Sequence, residues 1–131
     1  MKNQTLVHDW LRRAKSNLAR ARLGRVSKDI LYEDLCFDCQ QAVEKGLKAL
    51  LVRLSIIFPR THSITRLVEL VEENGIDVPQ EVKESIVLTE YAVSTRYPGD
   101  YEPIDEAEFK EAFIIAEGVI LWIEKILAAI E

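Results

Sequence analysis

The stretch LCFDCQQAVEKGLKALLVRL, residues 35–54, decides the fold of this chain. Apolar side chains recur in it at helical spacing and cover roughly half of a helix surface. They are Leu35, Cys36, Cys39, Ala42, Val43, Leu47, Leu50, Leu51 and Leu54. A helix that is apolar over so wide an arc packs against several neighbours. The sequence therefore predicts a central helix from about Ile30 to Ile57, with Asp29 as its cap.

An amphipathic pattern precedes the central helix. It predicts a helix from about Thr5 to Leu23, with Thr5 as the N-cap and Gly24 as the stop. The inner stripe consists of Val7, Trp10, Leu11, Ala14, Leu18 and Ala21. The opposite side carries Arg12, Arg13, Ser16 and Arg20, so we expect that side to face solvent.

Three further helical patterns follow the central helix, which Phe58–Pro59 ends. They predict a short helix from about Ile64 to Glu73, a helix from about Pro79 to Ser94, and a last helix capped by Asp105. The Pro79 helix is expected to bury Val82, Ile86, Val87 and Val93. The last helix repeats apolar residues at helical spacing, namely Phe109, Ala112, Phe113, Ala116, Val119, Ile120, Ile123, Leu127 and Ile130.

Long helices joined by short loops pack as antiparallel neighbours. The predicted fold is therefore all-α, an antiparallel up-down four-helix bundle with an extra short helix. Three long helices and the Pro79 helix form the bundle, and the Ile64 helix lies across one end. A chain of 131 residues is close to the usual size of one domain, so we expect a single helical domain over residues 1–131.

The charge balance argues against binding of nucleic acid through bulk charge. The chain has 17 Lys and Arg against 22 Asp and Glu, a net charge of −5. Residues 1–60, however, hold 12 of the basic and 6 of the acidic residues, so binding of nucleic acid by a local basic face in this part of the chain is not excluded. No apolar run approaches the roughly 20 residues that cross a bilayer, and no signal-peptide pattern is visible. We expect a cytoplasmic protein that does not enter a membrane.

The two cysteines, Cys36 and Cys39, have the CxxC spacing of redox and zinc sites. Both lie on the apolar face of the predicted central helix, whereas redox pairs sit at a helix N-terminus. A zinc site needs about four ligands, and His8 and His62 are the nitrogen ligands that the chain can add. We interpret both thiols as inert core residues, and we expect neither a metal nor a cofactor.

A polar stripe interrupts the central helix. Gln41, Glu44, Lys45 and Lys48 stand at i, i+3, i+4 and i+7, so they share one face. The first interpretation is a solvated face on which Glu44 and Lys48 form a favourable i,i+4 pair. The second is a polar strip that lines a groove, where Lys45 or Lys48 contacts a phosphate. The spacing leaves both interpretations open.

Two further candidates lie in the breaks between helices. Arg96 and Tyr97 stand where the Pro79 helix is predicted to end. Arg96 either complements the helix dipole or presents its guanidinium to a phosphate from a loop that Pro98 and Pro103 restrict. His62 precedes the Ile64 helix, where it serves either as a capping or loop-packing residue or as an acid–base group or anion contact.

The run CQQAVEKGLKAL, residues 39–50, resembles the second-helix signature of the HEPN domain family. PRTHSI at 59–64 and STRYP at 94–98 resemble the other two landmarks of that family, in the same order. The resemblance covers about Asp9 to Ile126. It implies an all-α bundle, commonly a homodimer, that binds a nucleotide or RNA. Many small prokaryotic members act beside a minimal nucleotidyltransferase (MNT), often as a toxin–antitoxin pair.

Some members of this family are metal-independent RNases with an R-x4–6-H motif. Counted from Arg96, the histidine would fall at positions that hold Tyr101, Glu102 and Pro103. Arg96 remains suited to stabilising a phosphate, but a phenol that titrates near pH 10 and a solvated carboxylate are weak bases at neutral pH. His62 takes the missing role if the fold brings it near Arg96.

The leading hypothesis is a HEPN-type protein that binds a nucleotide or RNA and acts with an MNT partner. The residues expected at the ligand are Gln41, Glu44, Lys45, Lys48, Arg96, Tyr97 and Tyr101, with His62 as support. The alternatives are a metal-independent RNase toxin that uses Arg96 and His62, and a non-catalytic dimerisation or adaptor bundle. The apolar surplus on the two longest helices also favours a homodimer.

Overall fold

The structure, a computed structural model, describes residues 2–93, Gly99 and residues 102–130, without the side chains of residues 2 and 93. These ranges contain helices and no strand, so the all-α prediction is confirmed. The helices are α1 (Lys2–Leu23), α2 (Tyr32–Arg53), α3 (Ile64–Glu73), α4 (Gln80–Lys83), a 3₁₀ helix (Glu84–Thr89), α5 (Glu90–Val93) and α6 (Glu106–Ala129). None of them, over the described ranges, has the length and apolarity of a membrane span.

The core of the bundle is built around α2, which packs against α1, α3, α5, α6 and the 3₁₀ helix. Its leucines Leu47, Leu50 and Leu51 are fully buried. Gly46 brings α6 close, since a Cβ there would stand 2.8 Å from Cδ1 of Ile120. The antiparallel bundle expected from the sequence is thus the observed architecture, and the polar stripe lies on its central helix.

The ends of α1 and α2 differ in part from the prediction. α1 already begins at Lys2, so Thr5 lies inside the helix and the prediction of Thr5 as N-cap is wrong. Gly24, at φ +69°, ends α1 as predicted, and its N–H donates to the Ala21 carbonyl over 3.0 Å. α2 begins after Leu31 rather than after Asp29, so the prediction of Asp29 as the cap is wrong; the Asp29 N–H instead donates to Ser27 Oγ within the loop over 3.1 Å.

The C-terminus of α2 comes earlier than the predicted Ile57. Ser55 adopts the left-handed φ of +60°, an uncommon conformation for a residue other than glycine. The N–H of Ser55 donates to Val52 O over 3.0 Å and the N–H of Ile56 donates to Leu51 O over 2.9 Å. These two bonds form a Schellman closure, which ends the helix and turns the chain toward Phe58.

The predicted helix from Pro79 to Ser94 is broken, although α3 has the predicted bounds. The segment divides into α4, the 3₁₀ helix and α5. In a 3₁₀ helix residues three apart eclipse, so Ser85 and Leu88 are buried on one side, while Val87 is 61% exposed; Val82, which is also buried, belongs to α4. The Ser85 hydroxyl donates to the Val82 carbonyl over 2.6 Å, which competes with helical pairing. The burial of Val87 was therefore wrongly predicted; Ile86 is half-buried, and the side chain of residue 93 lies outside the description.

The last helix follows the prediction closely. Asp105 caps α6 by accepting a hydrogen bond from the Glu108 N–H over 2.8 Å. Its buried stripe consists of Phe109, Ala112, Ala116, Val119, Ile120, Ile123 and Leu127, with Phe113 and Ile130 packed against the core at partial exposure.

Candidate functional site

The polar stripe of α2 is buried. Gln41, Glu44 and Lys48 are all shielded from solvent, Glu44 to 4% exposure, and Lys45 is half-buried. The interpretation of these side chains as a solvated face is therefore wrong. The reason is tertiary: Trp10 of α1 and Phe58 of the α2–α3 loop lie against the Lys48 ammonium group and shield it from solvent.

The Glu44 carboxylate is the centre of a hydrogen-bonded group, here called the Glu44 cluster, of Gln40, Gln41, Glu44, Lys48 and His62. Lys48 Nζ donates to Oε2 over 2.8 Å, and Gln40 Nε2 donates to Oε1 over 3.0 Å. His62 Nδ1 lies 2.9 Å from Oε1, and Gln41 Nε2 lies 3.4 Å from it. Burial raises the pKa of Glu44, but the bonds from Lys48, Gln40 and His62 outweigh burial and hold that pKa below its ordinary value.

The Lys48 ammonium group contacts a carboxylate and two aromatic rings. It pairs with Glu44 and stands 5.5 Å from the centroid of the Trp10 ring and 5.9 Å from that of Phe58. The two rings meet edge to face, with their centroids 6.5 Å apart. An ammonium group held in this way compensates the buried carboxylate. The contact between Lys48 and a phosphate stays a prediction.

His62 connects the Glu44 cluster to solvent, because its side chain is 59% exposed. An ionised carboxylate accepts hydrogen bonds and donates none, so Nδ1 carries the proton in this contact and Nε2 is the free ring nitrogen. Bonds to neighbouring elements hold the loop: Gln40 Nε2 donates to the His62 carbonyl over 3.4 Å, and the Ile64 N–H donates to Thr89 Oγ1 over 3.2 Å. The imidazole is thereby oriented on a fixed loop.

A second polar group, here called the Asp38 cluster, lies along the α1–α2 seam and consists of Asn17, Arg20, Asp38 and Lys45. Lys45 Nζ donates to Asn17 Oδ1 over 2.8 Å, and Asn17 Nδ2 donates to the buried Asp38 over 2.9 Å. Arg20 pairs with the same Asp38 oxygen over 3.0 Å. Burial lowers the pKa of Lys45; the nearby Glu44 and Asp38 oppose this effect, whereas Arg13 and Arg20 add to it. The seam therefore holds cations and carboxylates close together.

The structure brings together four of the predicted site residues, Gln41, Glu44, Lys48 and His62, and places Lys45 in the adjoining cluster. Arg96, Tyr97 and Tyr101 lie outside the described residues, so the expected meeting of Arg96 with the lysines of α2 stays a prediction.

Sequence reasoning missed six contributors to these clusters: Trp10, Asn17, Arg20, Asp38, Gln40 and Phe58. One of them, Gln40, had a signal in the sequence. Gln40, Glu44 and Lys48 follow one another at i, i+4 and i+8, the spacing of side chains stacked along one helix face. The other five reach the clusters from other elements or from a flank of α2 that spacing assigned to no site.

The CxxC pair lies inside α2, where both cysteines are buried and form no disulfide. Burial raises the pKa of Cys39, and the neighbouring Cys36 and Asp38 add to the effect, so the reactive thiolate is disfavoured. Over residues 2–93, 99 and 102–130, no three side chains among His, Cys, Asp and Glu come together as ligands for a metal ion.

The family model of the HEPN domain matches residues 7–126. The crystal structure of an archaeal HEPN homologue aligns with a TM-score of 0.71 at 28% sequence identity, covering 91% of this chain and 95% of that chain. No curated protein matches the chain in sequence.

Proposed function

The chain belongs to the HEPN domain family, and on this premise we propose that it binds a nucleotide or RNA where the Glu44 and Asp38 clusters adjoin. The observation that carries the proposal is the buried Glu44–Lys48 ion pair, at 4% and 7% exposure, which reaches solvent through His62. Folding gains little from such a pair, because apolar side chains of similar size stabilise a core at least as well. A buried ion pair linked to an exposed imidazole is more typical of a functional site.

Phosphate contacts are assigned to the cationic side of this surface. Lys45 is half-buried near Arg13 and Arg20, and a phosphate beside it would accept charge-assisted hydrogen bonds. Arg96 is proposed as a further phosphate contact, and Tyr97 and Tyr101 as stacking or hydroxyl contacts. Their segment follows α5 directly in sequence, and α5 packs against α2.

Titration with fluorescently labelled nucleotides and short RNAs tests the proposal. Lys45→Ala and Arg96→Ala should each weaken binding about tenfold or more, the value of a charge-assisted hydrogen bond. Lys110→Ala is the matched control, because it removes the same charge from an exposed pair with Glu106 on α6. An absence of saturable binding, or equal losses in Lys45→Ala and Lys110→Ala, would contradict the proposal.

A second candidate function is metal-independent cleavage of RNA. The observation that favours it is the 2.9 Å contact between Glu44 Oε1 and His62 Nδ1, since a carboxylate that orients an imidazole is a recurrent acid–base arrangement. In this reading His62 Nε2 takes the 2′-hydroxyl proton and Arg96 stabilises the phosphate. Purified protein should then cleave RNA in EDTA, and His62→Gln should abolish cleavage without abolishing binding. If the RNA stays intact, the cleavage function is ruled out and only the binding function remains.

An MNT protein is the proposed partner, in a toxin–antitoxin-like pair. Family membership supports this proposal, because many small relatives act beside such an enzyme. Co-expression with an MNT protein encoded next to this chain should give one complex on size-exclusion chromatography. Separate elution of the two proteins would favour the adaptor alternative or a different partner.

A homodimer is proposed as well. Ile114 and Leu121 are exposed apolar residues of α6 that stand seven positions apart, on one helix face. Sedimentation should show a dimer for the unaltered protein, and Leu121→Lys should shift it toward monomer. A monomer at all concentrations would rule this arrangement out.

A further inference from the structure

Trp10 and Phe58 form an aromatic wall over the Glu44 cluster. Trp10 comes from α1 and Phe58 from the α2–α3 loop, and both rings are half-buried. The Lys48 ammonium group lies within 6 Å of both centroids, so the wall and the buried ion pair form one continuous unit. Among the described residues, the indole N–H of Trp10 has no hydrogen-bond partner and remains available to a ligand.

The loop that carries Phe58 has the composition of a surface for single-stranded nucleic acid. Next to Phe58 stands Ile57 at 94% exposure, and the exposed cation Arg60 and the exposed imidazole of His62 follow within four residues. Arg60 forms no ion pair with any described residue. Aromatic rings interleaved with cations bind unpaired nucleotides, since a base stacks on a ring while a cation neutralises the phosphate.

Core packing alone does not account for this arrangement. A side chain recruited to close the core would bury its apolar surface, yet Ile57 is almost fully in solvent, and the rings of Phe58 and of Trp10 on α1 are partly exposed. The cation beneath the rings also favours a bound ligand, because it fixes both rings before the ligand arrives and so lowers the ordering cost of binding.

We propose that Trp10 and Phe58 are a stacking platform for one unpaired nucleobase, whose phosphate lies toward Arg60 and His62. The inference rests on the proposed function and deepens it, because it assigns the nucleobase to Trp10 and Phe58.

The fluorescence of Trp10 reports whether a base is stacked on its ring. The chain has two tryptophans, and Trp122→Phe leaves Trp10 as the single tryptophan, whose emission can be excited selectively over that of the tyrosines. In that background, hexa-adenylate RNA should quench the Trp10 emission, while ribose 5-phosphate, which lacks a base, should not. Trp10→Ala should weaken hexa-adenylate binding by about 5- to 150-fold, the range that stacking of one base supports, and Trp10→Phe should retain most of the affinity.

Two further variants separate stacking from a loss of fold. Phe58→Leu removes the second ring but keeps a large apolar side chain, and it should weaken hexa-adenylate binding with an unchanged circular dichroism spectrum. Phe113→Leu is the matched control, because Phe113 is also half-buried with a cation, Arg22, 5.6 Å from its centroid, but lies on α6; it should leave the affinity unchanged.

The outcomes distinguish this inference from the proposed function. If hexa-adenylate binds without quenching Trp10, and Phe58→Leu binds as tightly as the Phe113→Leu control, the platform is overturned while the binding function stands. If hexa-adenylate does not bind the unaltered protein, the platform is overturned; the proposed function is overturned as well only if the labelled nucleotides and the other short RNAs also fail to bind. Quenching together with a loss confined to Trp10→Ala and Phe58→Leu supports the platform.

Discussion

Glu44 and His62 stand 18 positions apart in the sequence, and Oε1 of one lies 2.9 Å from Nδ1 of the other. The contact fastens the loop before α3 to the middle of the central helix. It gives a buried carboxylate its link to solvent and gives an exposed imidazole a fixed orientation. The stability of the bundle and the chemistry of its surface therefore depend on the same carboxylate.

Glu44→Gln should destabilise the fold strongly. The substitution leaves the Lys48 ammonium group buried without its counter-charge, and breaking a buried pair in this way costs about 3–5 kcal/mol. Urea denaturation should show a lower midpoint with an unchanged m-value. Glu106→Gln, which breaks the exposed i,i+4 pair with Lys110, is the matched control and should leave the midpoint unchanged. Equal midpoints for the two variants would show that the Glu44–Lys48 pair contributes nothing.

The free energy of unfolding should decrease at acid pH, because Glu44 becomes protonated there. The folded state holds the pKa of Glu44 below the value of 4.5 that a free glutamate has, so the unfolded chain binds a proton first as pH decreases. The stabilisation from Glu44 is therefore complete above about pH 5 and is lost as pH falls through the lowered pKa. Denaturation midpoints from pH 7 to pH 3 should fall less steeply for Glu44→Gln than for the unaltered protein. If the midpoints of the two proteins fall in parallel with pH, Glu44 is not the group that couples stability to pH.

Gly46→Ala and Gly118→Ala should have opposite effects. A Cβ at Gly46 would meet Ile120 and Ile123 at 2.8 and 2.9 Å, so overpacking should cost about 1–3 kcal/mol. A Cβ at Gly118, also helical, meets nothing within 4 Å, and alanine there should stabilise α6 by about 0.5–1 kcal/mol. Thermal unfolding of both variants checks the pair. A rise in Tm for Gly46→Ala would mean that α6 approaches α2 less closely.

Local signals predicted the elements whose ends are set locally. α3 and α6 begin where Ser63 and Asp105 accept hydrogen bonds from the first-turn N–H groups, and such caps are visible in sequence. The Pro79 segment failed because a helical period of 3.6 was assumed where the chain adopts a period of three. That choice depends on the buried Ser85 hydroxyl, whose partner is a backbone carbonyl that no sequence pattern reveals.

Part of the candidate site could also be predicted from local signals. Spacing along α2 identified the face shared by Gln41, Glu44 and Lys48, because helix geometry fixes that face. Whether the face is solvated depends on Trp10 and Phe58, which arrive from two other segments. Burial is a tertiary property, so periodicity within one helix does not decide it.

The tautomer of His62 is the most direct readout of the Glu44 contact. Because Nδ1 donates to an ionised carboxylate, the neutral imidazole should carry its proton on Nδ1 and leave Nε2 bare. Long-range ¹H–¹⁵N correlation spectra of the two histidines should show this form for His62, with the exposed His8 as internal reference. Glu44→Ala should remove the difference, whereas Glu44→Gln should preserve it in part, since the amide oxygen still accepts a hydrogen bond. If His62 and His8 give the same nitrogen shifts in the unaltered protein, the imidazole is not held by Glu44 in solution, and the acid–base reading of the site fails with it.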